Sequence, residues 1–171
     1  MNYARLARDL AVAQGLAPGR APGLVPLLRR ARLDLLAHGD ALCRQGDPAD
    51  GIAVLAEGVL EVQITDGDST EMVATLTAPT LVGHIGVVDH GPRTASVLAR
   101  GPATVLRLSR VSTEALIAAD TIEGERFREL LLAGMFRSLT SSTSHLRALL
   151  AQQPGGVELR GEGPDSGSTP G

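Results

Sequence analysis

The sequence of 171 residues contains no lysine and a single cysteine. All 16 basic residues are therefore arginine, a usage that we attribute to coding bias rather than to chemistry. The lone thiol of Cys43 cannot form a disulfide within the chain, which is typical of proteins of the reducing cytoplasm. The net charge of −3 argues against broad binding of nucleic acids. We therefore expect a cytoplasmic protein that is not a general nucleic-acid binder.

Long apolar runs are also missing. No stretch approaches the roughly 18 consecutive apolar residues that a membrane-spanning helix needs, so we expect no contact with a membrane. The first 16 residues are interrupted by Arg5, Arg8 and Asp9, which argues against a signal peptide. The hydrophobic content of 43% and the length predict one folded domain with appendages.

The patterns of common catalytic and metal sites do not occur either. The four histidines show no His-x-His pair of the kind that metal-dependent cupins use. A nucleophile elbow and a Walker loop are also missing. The sequence therefore predicts a protein that is not an enzyme and that needs no metal or cofactor.

The centre of the chain, residues 24–110, reads as short strands separated by turns at intervals of about ten residues. Residues 45–50, QGDPAD, form one such turn, and residues 66–69, DGDS, form another. Residues 51–65 read as a hairpin that pivots near Gly58. This pattern predicts a β-sandwich or a β-barrel.

Helical and irregular segments flank this region. Residues 1–23 predict a short amphipathic helix followed by a Pro/Gly linker, APGRAPG, at 17–23. In residues 111–152, Ser112 is the expected cap of a short helix, and Asp120 that of a long helix ending at Gln152. The tail, residues 153–171, is rich in Pro, Gly and Ser and is predicted to be disordered.

Apolar residues recur along the long helix at intervals of four or seven. They predict either packing on the chain's own domain or pairing with a second copy. The stripe consists of Phe127, Leu131, Met135, Leu139, Leu146 and Leu150. Its polar centre, LTSSTSH at 139–145, is unusual for a plain core stripe.

Residues 83–96, GHIGVVDHGPRTAS, have the composition of an anion-binding loop. Gly83 and Gly86 let backbone N–H groups approach a phosphate closely, and a helical turn starting near Ile85 aims further N–H groups the same way. Arg93 adds a planar fork that can bind two phosphate oxygens, and the Thr94 hydroxyl is a further donor.

This stretch resembles the phosphate-binding cassette of cyclic nucleotide-binding domains, and the resemblance covers residues 24–152. The family pattern runs Gly-Glu-hydrophobic-Ala/Gly, a short linker, then Arg-Ser/Thr/Ala-Ala. The resemblance also includes Gly39, the turn 45–50 and Gly58, in the family's order. The cassette residues that it implies as ligand contacts are Gly83, His84, Ile85, Gly86, Arg93, Thr94 and Ala95. The implied fold is mostly β, an eight-stranded jelly-roll barrel with flanking helices and a long C-terminal helix.

One residue of the cassette departs from the family. His84 stands where the family usually has a Glu that accepts a hydrogen bond from the ribose 2′-hydroxyl. A neutral imidazole can still accept one bond, whereas a protonated one favours a more anionic ligand. The resemblance implies cAMP or cGMP as the ligand, with c-di-GMP as a further candidate, and a barrel without any ligand as the alternative.

The long helix carries two further implications of the resemblance. Bacterial receptors of the catabolite-activator type pair two subunits along this helix, which implies a homodimer through residues 121–152. In those receptors an adjacent Thr and Ser touch the base of the nucleotide, and Ser142 and Thr143 match them here. Side chains of this type can equally face solvent or bond back to the helix backbone.

The bacterial transcription factors that this chain resembles continue into a DNA-reading helix-turn-helix, and the sequence offers no such pair of helices. We therefore expect a sensor domain that binds a nucleotide and signals through an unknown partner protein. The alternative is a ligand-free module that acts as a dimeric interaction adaptor.

Overall fold

The computed structural model describes the backbone of residues 1–152 and the side chains of residues 1–140. The predicted disorder of residues 153–171 lies outside the described residues. The chain divides into two units, 1–138 and 139–171. No helix of the described residues is long and apolar enough to cross a bilayer.

The described residues form eight strands in two antiparallel sheets. The first sheet has the order β1-β8-β3-β6, and the second has the order β2-β7-β4-β5. The expected closed barrel is not found, because no strand of one sheet pairs with a strand of the other in this part of the chain. The strands are β1 Arg32–Leu36, β2 Ala41–Cys43, β3 Gly51–Glu57, β4 Val59–Asp66, β5 Ser69–Thr77, β6 Thr80–Val82, β7 Ser96–Ala99 and β8 Ala103–Ser109.

The predicted hairpin at residues 51–65 is wrong. Strands β3 and β4 follow each other directly, but they lie in different sheets, so Gly58 is a crossing point rather than a hairpin turn. Gly58 has a φ of +94°, and a Cβ atom there would lie 2.6 Å from the carbonyl oxygen of Pro102. Alternation of apolar and polar residues along the chain predicts that strands are present. It does not indicate which strands pair with each other. The hairpin lies one turn later, where Asp66 pairs with Ser69 across Gly67 and Asp68.

The N-terminal segment contains helix α1, Tyr3–Ala13, and helix α2, Val25–Arg30. Between them the expected Pro/Gly linker is a 3₁₀ helix, Pro18–Leu24, which buries Ala21 and Leu24. Proline fits at the first position of a helix because its fixed φ suits the helix. An N–H group at that position would have no partner within the helix, so proline loses no hydrogen bond there. This segment is therefore part of the fold rather than a spacer.

Two more long segments after the strands are helical, α4 at Arg110–Ala118 and α5 at Ile122–Gln152. The caps differ from the predicted ones. The Ser109 side chain accepts a bond from the N–H of Ser112 at 3.2 Å, and Thr121 Oγ1 accepts one from Gly124 at 3.1 Å. Helix α3, His84–Val88, is a short helix inside the cassette.

The side chains pack into two cores. One lies between the two sheets, and it combines Leu42, Leu60 and Val97 with Ala53, Leu55 and Val105. The other lies between the first sheet and the helices, where Leu10, Leu24, Leu28, Phe127, Leu130 and Leu131 meet Val54 and Leu106. The start of α5 is therefore fixed on the first sheet.

Candidate functional site

The turn 45–50 and the cassette, separated by about 40 residues of sequence, meet at the backbone of Arg93. The Arg93 N–H donates to the carbonyl of Asp47 at 2.8 Å, and the Arg93 carbonyl accepts from the N–H of Gly46 at 2.8 Å. These two bonds hold the Cα of Arg93 at the edge of the sheets and fix the direction in which its side chain leaves the backbone.

The Arg93 side chain is buried, with 8% of its surface exposed. Its Nη2 donates to Asp50 Oδ1 at 2.5 Å and to the carbonyl of Gly51 at 2.8 Å, and its Nη1 donates to the carbonyl of Gly83 at 3.1 Å. Among the described residues, Nε has no partner. A buried charged donor without a partner is costly, so the guanidinium has unused capacity for an acceptor.

Gly83 is required at its position for two reasons. Its φ is +81°, a left-handed conformation that other residues rarely adopt. A Cβ atom at Gly83 would also lie 2.5 Å from Arg93 Nη1. Gly83 therefore gives the Arg93 guanidinium the space in which it lies.

A cavity of about 260 Å³ opens between the sheets beside Arg93. Gly83, Asp50 and Arg93 line one part of it, and Cys43 and Arg107 line another. Arg32 also contributes to the wall, but its side chain is 75% exposed and lies at the mouth. The cavity thus carries three guanidinium groups.

Neither Arg107 nor Arg32 is among the site residues predicted from the sequence. Arg107 Nε lies 2.7 Å from Asp34 Oδ2, and Arg32 Nη2 lies 2.9 Å from the same oxygen. Arg32 is directly opposite Arg107 in the sheet, and like charges in that position repel, so Asp34 offsets the repulsion. The available signal was the charge of Arg107 within the otherwise apolar strand ATVLRLS.

Cys43 lines the same cavity as these charged groups. Burial raises the pKa of its thiol, and the charges of Arg93 and, more weakly, Arg107 act against that rise. The thiol is therefore neutral at pH 7, and it behaves as a small apolar group of the wall.

His84 does not line the cavity. Its side chain is buried, and its Nε2 lies 3.0 Å from Ser138 Oγ on α5. The ring also lies against Gly134, where a Cβ atom would be 3.7 Å from both Cε1 and Nδ1. Burial lowers the pKa of His84, and a bond with the backbone of Gly134 opposes that change, so the imidazole is neutral at pH 7.

Comparison with known proteins identifies the family. The family model of the cyclic nucleotide-binding domain matches residues 34–120, which is half of the chain. The chain belongs to the cyclic nucleotide-binding domain family. This region contains the turn 45–50, the cassette and Arg107.

This chain is similar to two curated proteins and to one solved structure. The cAMP-dependent protein kinase type II regulatory subunit of Drosophila melanogaster is 34% identical over 64 residues, covering 37% of this chain and 17% of that protein. The acetyltransferase Pat of Mycolicibacterium smegmatis is 31% identical over 96 residues, covering 56% of this chain and 29% of that protein. The catabolite activator protein of Thermus thermophilus has a similar structure, with a TM-score of 0.65, 26% identity, and coverage of 82% of this chain and 62% of that one. The chain spans less than a third of the length of the two curated relatives.

In this cyclic nucleotide-binding domain the structure brings together only part of the expected contact set. Gly83 and Arg93 line the cavity, whereas Gly86 is buried against Ala49. The remaining cassette residues lie outside the cavity wall, with Ile85 and Thr94 exposed and Ala95 half-buried. Ser142 and Thr143 lie within α5, but their side chains are outside the described residues.

Proposed function

We propose that this domain is a regulatory sensor that binds a cyclic mononucleotide, cAMP or cGMP, in the cavity beside Arg93. The observation that carries the proposal is the buried Arg93 guanidinium, which lines the cavity and has an Nε without a partner among the described residues. A phosphodiester oxygen is the natural acceptor for such a donor, because charge-assisted bonds of guanidinium to phosphate are short and strong.

Charge supports a ligand with one negative charge. Three arginines line the cavity, Asp50 pairs with Arg93, and Asp34 pairs with both Arg32 and Arg107. One positive charge is left over, and a cyclic phosphodiester carries one negative charge. Electrostatic balance therefore favours a cyclic mononucleotide over a phosphate monoester.

Size supports the same ligand class. Pockets for small molecules usually measure about 300–1,000 Å³. The cavity of about 260 Å³ lies just below that range and suits a single nucleotide better than c-di-GMP, which has two. We expect c-di-GMP to bind more weakly than a cyclic mononucleotide.

The test is a calorimetric titration of the wild type with cAMP, cGMP and c-di-GMP at one salt concentration. Arg93→Lys is the matched variant, because lysine keeps the charge but loses the planar fork. We expect binding of a cyclic mononucleotide by the wild type and weakening by about tenfold or more in Arg93→Lys, from charge-assisted bonds worth about 1.5–3 kcal/mol. Equal affinity of the two proteins would place the ligand elsewhere.

We also propose that the domain works in the cytoplasm as a homodimer through the helix at 121–152 and passes its signal to a partner protein. Phe127 and Leu131, which the sequence places in the pairing stripe, are buried in the domain's own core. Large apolar side chains of α5 are exposed beside the stripe at Leu132, by 67%, and at Phe136, by 72%, and Leu139 of the stripe is exposed by 67%. The surface proposed for the second copy is therefore centred on Leu132 and Phe136.

A ligand-free adaptor is the second candidate function, and two observations favour it. Arg93 already has three protein acceptors, and His84 is bonded to Ser138 rather than exposed in the cavity. If the wild type binds none of the three nucleotides in the titration and still dimerises, the adaptor function replaces the sensor function.

A further inference from the structure

Arg107 lines the same cavity as Arg93, and both residues are placed against strand β3. Arg93 donates to the carbonyl of Gly51, and Arg107 is paired with Ala53, two residues further along β3. Residues two apart on a strand are separated by about 6.6 Å and lie on the same face. Cys43 lines the same cavity as the two guanidinium groups. A ligand held by Arg93 therefore extends towards Arg107.

Asp34 forms an ion pair with Arg107 from the neighbouring strand. It lies on β1, diagonally across the sheet from Arg107, and its Oδ2 is 2.7 Å from Arg107 Nε. In the part of the chain that the structure describes, this Nε makes no hydrogen bond. Within the described residues Arg107 has no other polar partner, so both Nη groups are available to a ligand. Its side chain is only 23% exposed, which limits the directions in which the fork can turn.

Arg107 meets a neutral part of the ligand in the proposed function. A cyclic mononucleotide has one anionic group, and Arg93 holds that phosphodiester. Asp34 is shared by Arg107 and Arg32 and balances part of the charge of this pair. What remains at Arg107 is a planar pair of donors at the end of the cavity away from the phosphate.

We infer that Arg107 determines base specificity by donating to O6 and N7 of guanine, so that the domain prefers cGMP to cAMP; this rests on the proposed function. A guanidinium fork fits two acceptors side by side, and guanine presents two acceptors on this edge. Adenine presents N7 and the N6 amino group, and that donor would face the donors of Arg107. A good bidentate pair discriminates between bases by about 5- to 150-fold.

The test compares the dissociation constants for cGMP and cAMP across four proteins by calorimetry. They are the wild type, Arg107→Gln, Arg107→Ala and the control Arg100→Ala, which removes an exposed arginine paired with Glu61 outside the cavity wall. Arg107→Ala leaves Asp34 paired with Arg32, so no carboxylate loses all its partners. Thermal melting of each protein checks that it is folded.

We expect the wild type and Arg100→Ala to bind cGMP about 5- to 150-fold more tightly than cAMP. Arg107→Ala should bind both nucleotides with similar affinity. Arg107→Gln should reverse the preference, because a glutamine amide donates to N7 and accepts from N6 of adenine. A purely structural role of Arg107 would not reverse a preference.

The outcomes separate this inference from the proposed function. If the wild type binds cGMP and cAMP equally, or if Arg107→Ala weakens both by the same factor, the base-reading role is wrong while the sensor function stands. If the wild type binds neither nucleotide, the proposed function fails and this inference fails with it. If an additional phosphate on the nucleotide raises affinity whatever the base, Arg107 is a second phosphate contact and the inference is wrong.

Discussion

His84 Nε2 lies 3.0 Å from Ser138 Oγ, and this contact joins α3 of the cassette to the middle of α5. The family usually places a glutamate at this position, facing the ribose of the ligand. Here the imidazole is instead buried against Gly134 and Ser138. The cassette side chain at residue 84 therefore contacts the helix and does not line the cavity.

The first prediction concerns the pH dependence of stability. Burial lowers the pKa of His84 in the folded state, so the unfolded chain takes up a proton more readily below its ordinary pKa of about 6.5. The contribution of His84 to the free energy of unfolding should be constant above about pH 6.5. Below that value it should decrease as the pH falls. Urea unfolding at pH 7.5 and pH 5.5 measures the change.

The control variants for this prediction are His84→Gln and His38→Gln. Glutamine does not titrate, so His84→Gln should lose a clear part of the pH dependence. His38 is exposed, and its replacement should leave the dependence unchanged. An identical pH dependence in the wild type and His84→Gln would show that His84 is not responsible.

The second prediction concerns the pair formed by Asp50 and Arg93. Asp50→Ala leaves the Arg93 guanidinium buried without its counter-charge, which should lower the free energy of unfolding by about 1–3 kcal/mol. Asp47→Ala is the control, because Asp47 is exposed and contacts Arg93 only through its backbone. Chemical denaturation of both variants gives the difference, and equal costs would contradict the account.

A bound phosphate should partly compensate for the loss of Asp50. The phosphodiester supplies the negative charge that the variant lacks. We therefore expect saturating cyclic nucleotide to raise the melting temperature of Asp50→Ala by more than that of the wild type. A smaller rise in the variant would show that the nucleotide does not lie beside Arg93.

The third prediction compares two glycines with similar backbone conformations. Gly83 and Gly39 have φ values of +81° and +86°, so alanine is strained at both, at about 1–2 kcal/mol. At Gly39 no atom lies within 4 Å of the added Cβ, whereas at Gly83 the Cβ would lie 2.5 Å from Arg93 Nη1. Gly83→Ala should therefore destabilise the protein more than Gly39→Ala and should also weaken nucleotide binding. Equal effects on stability in urea denaturation would contradict the packing role of Gly83.

The fourth prediction concerns assembly. Leu132→Glu should convert the dimer into a monomer, because it places a charge at the centre of the proposed apolar interface. Leu35→Glu is the control, because Leu35 is a similarly exposed leucine, by 74%, that lies on β1 rather than on α5. Analytical ultracentrifugation at micromolar concentration measures the outcome. A monomeric wild type, or dissociation by both substitutions, would contradict the interface.

The sequence predicted much of the fold and only part of the site. Glycines and alternating residues indicated the strands, and the order of the turns indicated the family that the comparisons then confirmed. Alternation could not indicate that the chain changes sheets at Gly58, because pairing depends on residues distant in sequence. The Pro/Gly composition of residues 17–23 concealed a packed 3₁₀ helix, since burial of Ala21 and Leu24 depends on α1 and α5.

The site was harder to predict for a physical reason. Arg93 and Gly83 follow from local sequence because turns and loops have local signatures. Arg107, Asp34 and Arg32 come together only through the pairing of β1 with β8. The direction of the His84 ring depends on the small residue Gly134 and on Ser138, about 50 residues later in the chain. No local pattern could indicate either arrangement.

The most direct test of nucleotide binding beside Arg93 uses the one cysteine of the chain. Cys43 lines the cavity, so a ligand in that cavity should shield its thiol from a small alkylating reagent. The rate is measured at pH 8.5, where more thiolate is present, for the wild type and for Arg93→Ala, with and without cGMP. We predict that cGMP slows alkylation several-fold in the wild type and has no effect at the same concentration in Arg93→Ala. An alkylation rate that does not change in the wild type at a cGMP concentration shown by calorimetry to saturate binding would contradict the central claim. If calorimetry shows no binding and cGMP at any concentration leaves the rate unchanged, the claim is contradicted as well.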